Sequence, residues 1–172
     1  MQNKPFSVKM WLVRVQSGSK MMQSGEFMFL GENHHSLDAK GRLIVPAKLR
    51  EKLGPVFVIT KGLGDKFICI YPQSAWNSIT EKLKGIPSAD KDGMRFQRFL
   101  IGGAHECEPD GQGRFLIPQI LRDYAGIVKE VVSVGMNDRI EIWAKEEWNM
   151  RGEDDLTYVD DELLEKMSER GI

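Results

Sequence analysis

Cysteine is scarce in this chain of 172 residues: Cys69 and Cys107 are the two present, and neither belongs to a CxxC pair. A disulfide framework is therefore not expected, and a reducing compartment suits the composition. No run of about 18 apolar residues occurs, which argues against a membrane-spanning helix. The chain holds no P-loop, no Ser/His/Asp signature and no recognisable acid and base pair. An enzyme is not expected, and neither is a cofactor or a small-molecule substrate. Histidine is sparse as well, with three residues. His34, His35, His105 and Cys107 are the conceivable zinc ligands, but a His-His doublet places two rings poorly on one ion and a single His-x-Cys pair does not complete a tetrahedral set. No metal site is expected.

An excess of one charge sign is also missing, since the formal net charge is −1. That near-zero value conceals a gradient. Residues 1–27 carry four basic side chains and one acidic, residues 28–150 carry seventeen and sixteen, and residues 151–172 carry three and eight. An acidic tail thus masks a more basic front, and a nucleic-acid partner is not excluded, because binding depends on a local cationic patch.

What the sequence does contain is one phrase written twice. "LDAKGRLIVPAKLREKL" at 37–53 is followed, at an offset of 72 residues, by "EPDGQGRFLIPQILRDY". Asp38, Gly41, Arg42, Pro46, Leu49 and Arg50 fall on Asp110, Gly113, Arg114, Pro118, Leu121 and Arg122 without a gap. Gly41 and Gly113 stand where a hairpin turn calls for positive φ. Short buried strands, "LIV" and "FLI", come next. Pro46 and Pro118 end those strands and suit the first helical position. Leu49 and Leu53, like Leu121 and Ala125, share one helical face, and Gly54 and Gly126 stop the helices. "VFVITKG" then matches "VVSVG" after one insertion, "DKFICIYP" lies beside "DRIEIWA", and Trp76 and Trp148 return to the original offset. Each half reads strand, tight turn, strand, helix, strand, strand, helix. Two copies mark a duplication rather than a solenoid, and units of roughly 70 residues are expected to lean on each other to bury a core.

The expected organisation is a disordered extension over 1–27, a first half over 28–80, a helical connection over 81–103, a second half over 104–150 and an acidic tail or short helix over 151–172. The extension has a short apolar patch, "MWLVRV", interrupted by Arg14 and too short for a signal segment. It reads as a poorly ordered, vector-derived or upstream in-frame addition, with the folded unit beginning at Met28. Residual apolar surface on Trp76, Phe96 and Phe99 is expected to be buried between subunits, and the acidic run near the C-terminus reads as a solvated face.

"MFLGENHHSLDAKGRLIVPAKLR", "DGQGRFLIPQILRDYAG" and "VSVGMNDRIEIW" together resemble the MraZ family of bacterial transcriptional regulators, built from tandem AbrB or SpoVT-type halves. The likeness runs from about Met28 to Trp148. It implies an α+β fold, mainly β, in which the two halves form an intrachain pseudo-dimeric swapped-hairpin β-barrel with flanking helices. It also implies binding of double-stranded DNA at short direct repeats in the promoter of a cell-division and cell-wall gene cluster, this protein's own gene included. A cytoplasmic, nucleoid-associated homo-oligomeric ring follows from the same resemblance.

Carried onto this chain, the resemblance assigns Lys40, Arg42, Gln112 and Arg114 to DNA contact, and Asp38, Gly41, Asp110 and Gly113 to orienting the two loops. His35 corresponds to a histidine with a structural role. Arg50 and Arg122 are assigned either to phosphate contact or to bracing the loop aspartates. A lone D-x-x-G-R turn is an ordinary hairpin; two in register carry the assignment. Arginine suits bidentate contact with guanine or phosphate, and lysine supplies a point charge. Gln112 stands where the first loop has Lys40, so the second loop has one positive charge fewer. The competing function is a protein-interaction module, since AbrB-type folds also serve as antitoxin-like halves.

Overall fold

The structure, a computed structural model, describes residues 28–151 and 159–171. The expectations for 1–27 and for 152–158 lie outside the described residues. The first half supplies β1 (Glu32–Ser36), β2 (Arg42–Ile44), α1 (Ala47–Leu53), β3 (Phe57–Lys61), β4 (Ile68–Pro72) and α2 (Gln73–Lys84). After the connecting helix α3 (Lys91–Leu100), the second half repeats the order: β5 (His105–Cys107), β6 (Arg114–Leu116), α4 (Gln119–Ala125), β7 (Glu130–Gly135), β8 (Ile140–Ala144) and α5 (Lys145–Arg151). A last helix, α6 (Asp161–Glu169), follows. The chain is therefore α+β. Among the described residues no helix is long and apolar enough to cross a membrane.

The halves do not fold side by side; they interlock. The main sheet is antiparallel in the order β1-β7-β8-β4-β3-β5, and β2 pairs with β6 in a separate two-stranded ribbon. Among the described residues, the strands that pair within a half are those of the hairpins β3–β4 and β7–β8. Every other ladder crosses between halves: β1 on β7, β5 on β3, β8 on β4 and β6 on β2. The order is symmetric under exchange of the halves, so the duplication written in the sequence becomes a pseudo-twofold axis.

The ladder among the described residues is open, with β1 and β5 at its edges, and does not run on as the closed barrel expected from the resemblance. The reason is local. The tight turns at 38–42 and 110–114 redirect the chain, so that β2 and β6 find only each other, and two further bonds, Val45 N–H to the Gly113 carbonyl (3.0 Å) and Ile117 N–H to the Gly41 carbonyl (3.1 Å), extend that ribbon.

Two apolar layers hold the halves together. Phe57, Ile59, Ile68, Ile70, Ile140 and Ile142 face Leu43, Leu49, Phe115, Ile117 and Leu121, with Phe57 and Phe115 edge to face at 5.0 Å. The opposite face of the sheet packs Val58, Cys69, Tyr71 and Trp143 against Trp76, Ile79, Leu83, Phe96 and Leu100 from the helices. Burial on both faces explains why "FVI" and "ICIY" read as nearly continuous apolar runs rather than alternating ones, and why the buried Thr60 that follows donates its hydroxyl to the Leu100 carbonyl. It also corrects one expectation: Trp76 and Phe96 are 8 % and 7 % exposed, so they close the second core of this chain and offer almost no surface of their own for a neighbouring subunit to cover.

The helix starts differ slightly from expectation too. Pro46 and Pro118 are N-cap residues, with α1 beginning at Ala47 and α4 at Gln119. Their carbonyls accept the first intrahelical bonds, from Arg50 and Arg122 N–H, which is what defines the cap.

Candidate nucleic-acid interface

The two D-x-x-G-R segments form matching three-residue loops, one at each end of the antiparallel β2–β6 ribbon. In the first, Asp38 N–H donates to the Arg42 carbonyl and Gly41 N–H to the Asp38 carbonyl, each at 2.9 Å. In the second, the equivalent bonds join Asp110, Arg114 and Gly113 at 2.8 Å. Both glycines sit at φ +77°, the left-handed position that closes a loop of this length. The aspartates hold the loops from inside. Asp38 Oδ1 accepts the N–H of Lys40 and of Arg42, both at 2.9 Å, and Asp110 Oδ1 accepts those of Gln112 (2.9 Å) and Arg114 (3.0 Å).

The second carboxylate oxygen fixes the arginines. Arg42 Nε donates to Asp38 Oδ2 at 2.7 Å, with Nη2 2.6 Å from the same atom, and Arg114 Nε donates to Asp110 Oδ2 at 2.8 Å. Arg42 Nη1 also lies 3.9 Å from Asp110 Oδ2, which links the loops. The side-chain bond from Arg42, then its backbone N–H, hold the Asp38 carboxyl down at about 2. Asp110 is lowered as well, chiefly by the Arg114 backbone N–H. A guanidinium anchored along one edge has lost much of its rotamer freedom before any ligand arrives, and its remaining N–H groups keep a fixed direction.

Arg50 and Arg122 reach across the pseudo-twofold axis. A methyl group placed on Gly41 would stand 2.7 Å from Arg122 Cζ, and one on Gly113 would collide with the Arg50 guanidinium. Arg122 Nε also donates to the Ile117 carbonyl at 3.1 Å. Each helix arginine therefore lies over the loop glycine of the other half, not on a loop aspartate. Lys40 and Gln112 occupy the loop tips, exposed.

The remaining candidates lie elsewhere. His35 Nε2 is 2.8 Å from Ser133 Oγ between β1 and β7, and burial, aided by His34, pushes its pKa down. His34 faces Glu32 at 2.9 Å. Burial raises the Cys69 and Cys107 thiols to about 12 and about 11, so neither is a ready nucleophile or ligand. Among the described residues no three His, Cys, Asp or Glu side chains gather where an ion would be held. Sequence reading missed three features: the Arg42–Asp110 approach, the crossing of Arg50 and Arg122, and the outward aliphatics Ile44 and Leu116. The last had a signal, since Leu43 and Phe115 point inward and a strand alternates.

A family model described as "MraZ protein, putative antitoxin-like" matches residues 28–99 and 100–156. The chain belongs to the MraZ family. The two MraZ matches meet just ahead of β5, so each contains one complete D-x-x-G-R loop. A protein of Clostridium beijerinckii named transcriptional regulator MraZ is 50 % identical over 145 residues, covering 84 % of this chain and all of the relative. One of Clostridium tetani with the same name is 48 % identical over the same shares. A third, from Desulforamulus reducens, is 52 % identical over 122 residues, or 71 % of this chain and 85 % of the relative.

Proposed function

We propose that this MraZ-family chain is a sequence-specific DNA-binding transcriptional regulator whose paired loops form the reading surface. The observation that carries the reading is the pair of aspartate-anchored arginines, Arg42 and Arg114, on adjacent strands of one ribbon. Immobilised guanidinium groups suit guanine edges or phosphates, and Lys40 adds a mobile charge at the first tip. The names of the relatives support regulation of transcription. The target in this proposal is a set of short direct repeats in the promoter of a cell-division and cell-wall gene cluster, bound by a ring of subunits in the nucleoid. The interlocked pairing of the halves supports their acting as the swapped-hairpin pair that the resemblance implies.

The test is a binding series of the protein with the DNA upstream of its own gene against a scrambled duplex, repeated from low to high salt. Expected are discrimination against the scrambled DNA and a steep linear fall of log affinity with log salt. Equal, salt-insensitive binding to both would refute the proposal. A second reading, a protein-interaction module, draws on the exposed acidic helix α6 and on the antitoxin-like description of the family. It would gain if the protein retained no DNA and held a protein partner through residues 151–172.

A further inference from the structure

The ribbon has two faces with different chemistry. Its register sets Arg42 beside Leu116, Leu43 beside Phe115 and Ile44 beside Arg114. Leu43 and Phe115 turn inward into the core. Alternation then turns Arg42, Ile44, Arg114 and Leu116 to the outside, where Ile44 and Leu116 are 55 % and 52 % exposed. The outer face is a checkerboard of two diagonal arginines and two diagonal aliphatics, identical in pattern under exchange of the halves. An exposed aliphatic by itself needs no explanation. Two at equivalent positions, each next to a guanidinium anchored by its own loop aspartate, form a repeated surface element.

We propose, building on the DNA-reading function above, that this face enters the major groove and that Ile44 and Leu116 contact thymine C5-methyl groups there. Asp38 and Asp110 balance Arg42 and Arg114, and Arg50, Arg122 and Lys40 beside the loops leave a positive excess that makes the face complementary to a polyanion. Two strands about 4.8 Å apart, with their side chains, match a groove about 12 Å wide that admits a β-ribbon. The only base atoms in that groove that an aliphatic side chain reads favourably are the methyl groups of thymine. The arginines then supply the guanine and phosphate contacts, and the aliphatics mark the A·T pairs between them.

The test uses a duplex enriched by the wild-type protein from a random-sequence pool, and the same duplex with every dT replaced by dU. The uracil duplex has the same hydrogen-bonding groups and lacks only the methyls. Wild-type protein is expected to bind it more weakly, by about four-fold for each thymine methyl that an aliphatic side chain had covered. Ile44→Ala and Leu116→Ala should each lose part of this methyl sensitivity, and the double variant nearly all of it. Ile44→Val, which keeps a branched aliphatic surface, should retain it. Wild-type binding of both duplexes with one affinity, while Arg42→Ala abolishes binding, overturns this inference and leaves the DNA-reading function standing. A pool that yields no enriched sequence overturns both. If Ile44→Ala and Leu116→Ala shift the oligomer size in light scattering and leave methyl sensitivity unchanged, the face is a subunit contact and the inference falls.

Discussion

The two loops share a backbone and differ in how their charges are arranged. In the first, the guanidinium of Arg42 grips Asp38 through two nitrogens and leans toward Asp110; in the second, Arg114 holds Asp110 through Nε. Accordingly the strongest influence on Asp38 is an arginine side chain, and on Asp110 a backbone N–H. The first tip carries Lys40 and the second Gln112. Duplication thus preserved the hairpin and let the charge diverge. A hairpin is fixed by a glycine and an aspartate that bond to the backbone, whereas tip and guanidinium contacts depend on single exposed atoms that tolerate change.

The comparison breaks most completely at the arginines. Arg42→Ala and Arg114→Ala are each expected to weaken base recognition by about 1–3 kcal/mol per subunit and to relax sequence preference. On DNA that engages several subunits the deficit multiplies through avidity, to near-abolition of binding. Titration of each variant on single-repeat and multi-repeat duplexes checks this, with circular dichroism and light scattering confirming that fold and size are retained.

The glycines separate two contributions to loop stability. Gly41→Ala and Gly113→Ala should both destabilise the fold by about 1–2 kcal/mol through left-handed strain alone. Gly113→Ala should cost more, because its methyl would meet the Arg50 guanidinium more closely than the Gly41 methyl would meet that of Arg122. Urea unfolding measures the difference, and adding Arg50→Ala to Gly113→Ala should recover the excess while leaving the strain.

A subtler change makes the loops alike. Gln112→Lys is expected to steepen the log-affinity against log-salt slope by about 0.9 for one added phosphate contact, and Lys40→Gln to flatten it by the same amount. The double exchange, which moves the lysine to the other tip, should leave the slope near its original value.

The smallest effect is in the acid range. Asp38 and Asp110 have folded pKa values below the ordinary carboxylate value of 3.8, so each stabilises its loop above the unfolded pKa, and that stabilisation fades as pH falls through the folded value. For Asp38 the window runs from near 4 down to about 2. Carboxyl NMR titration should place Asp38 near the lower end. Arg42→Ala should raise the Asp38 value more than Arg114→Ala raises that of Asp110, where the backbone bond remains.

Much of this was legible in the amino-acid order. The strand, turn, strand, helix, strand, strand, helix sequence of each half, the positive φ of Gly41 and Gly113 and the inward stripe of Leu49 with Leu53 all follow from spacing, because they depend on residues within a turn or two of one another. The candidate site was legible as a set of residues for the same reason: Asp38 bonds to Arg42 four positions away. What spacing did not reveal was who stands opposite whom. Trp76 and Phe96 looked like surface awaiting a second subunit, yet they pack with Trp143 and Cys69 in one core within the chain.

The sequence by itself determined the two loops and their glycines, with each aspartate orienting its own turn, since these bonds form within five residues. That the same aspartate also holds the arginine side chain is a finding of the structure. Only the tertiary structure decided that β1 leaves its own half for β7, that β2 meets β6, that Arg42 approaches Asp110 and that Arg50 and Arg122 cross to the opposite glycine. Those partners are separated by about one repeat, and a repeat offers every strand two chemically similar mates. The choice between them is made by burial of both sheet faces at once, a property of the assembled core that no local stretch contains.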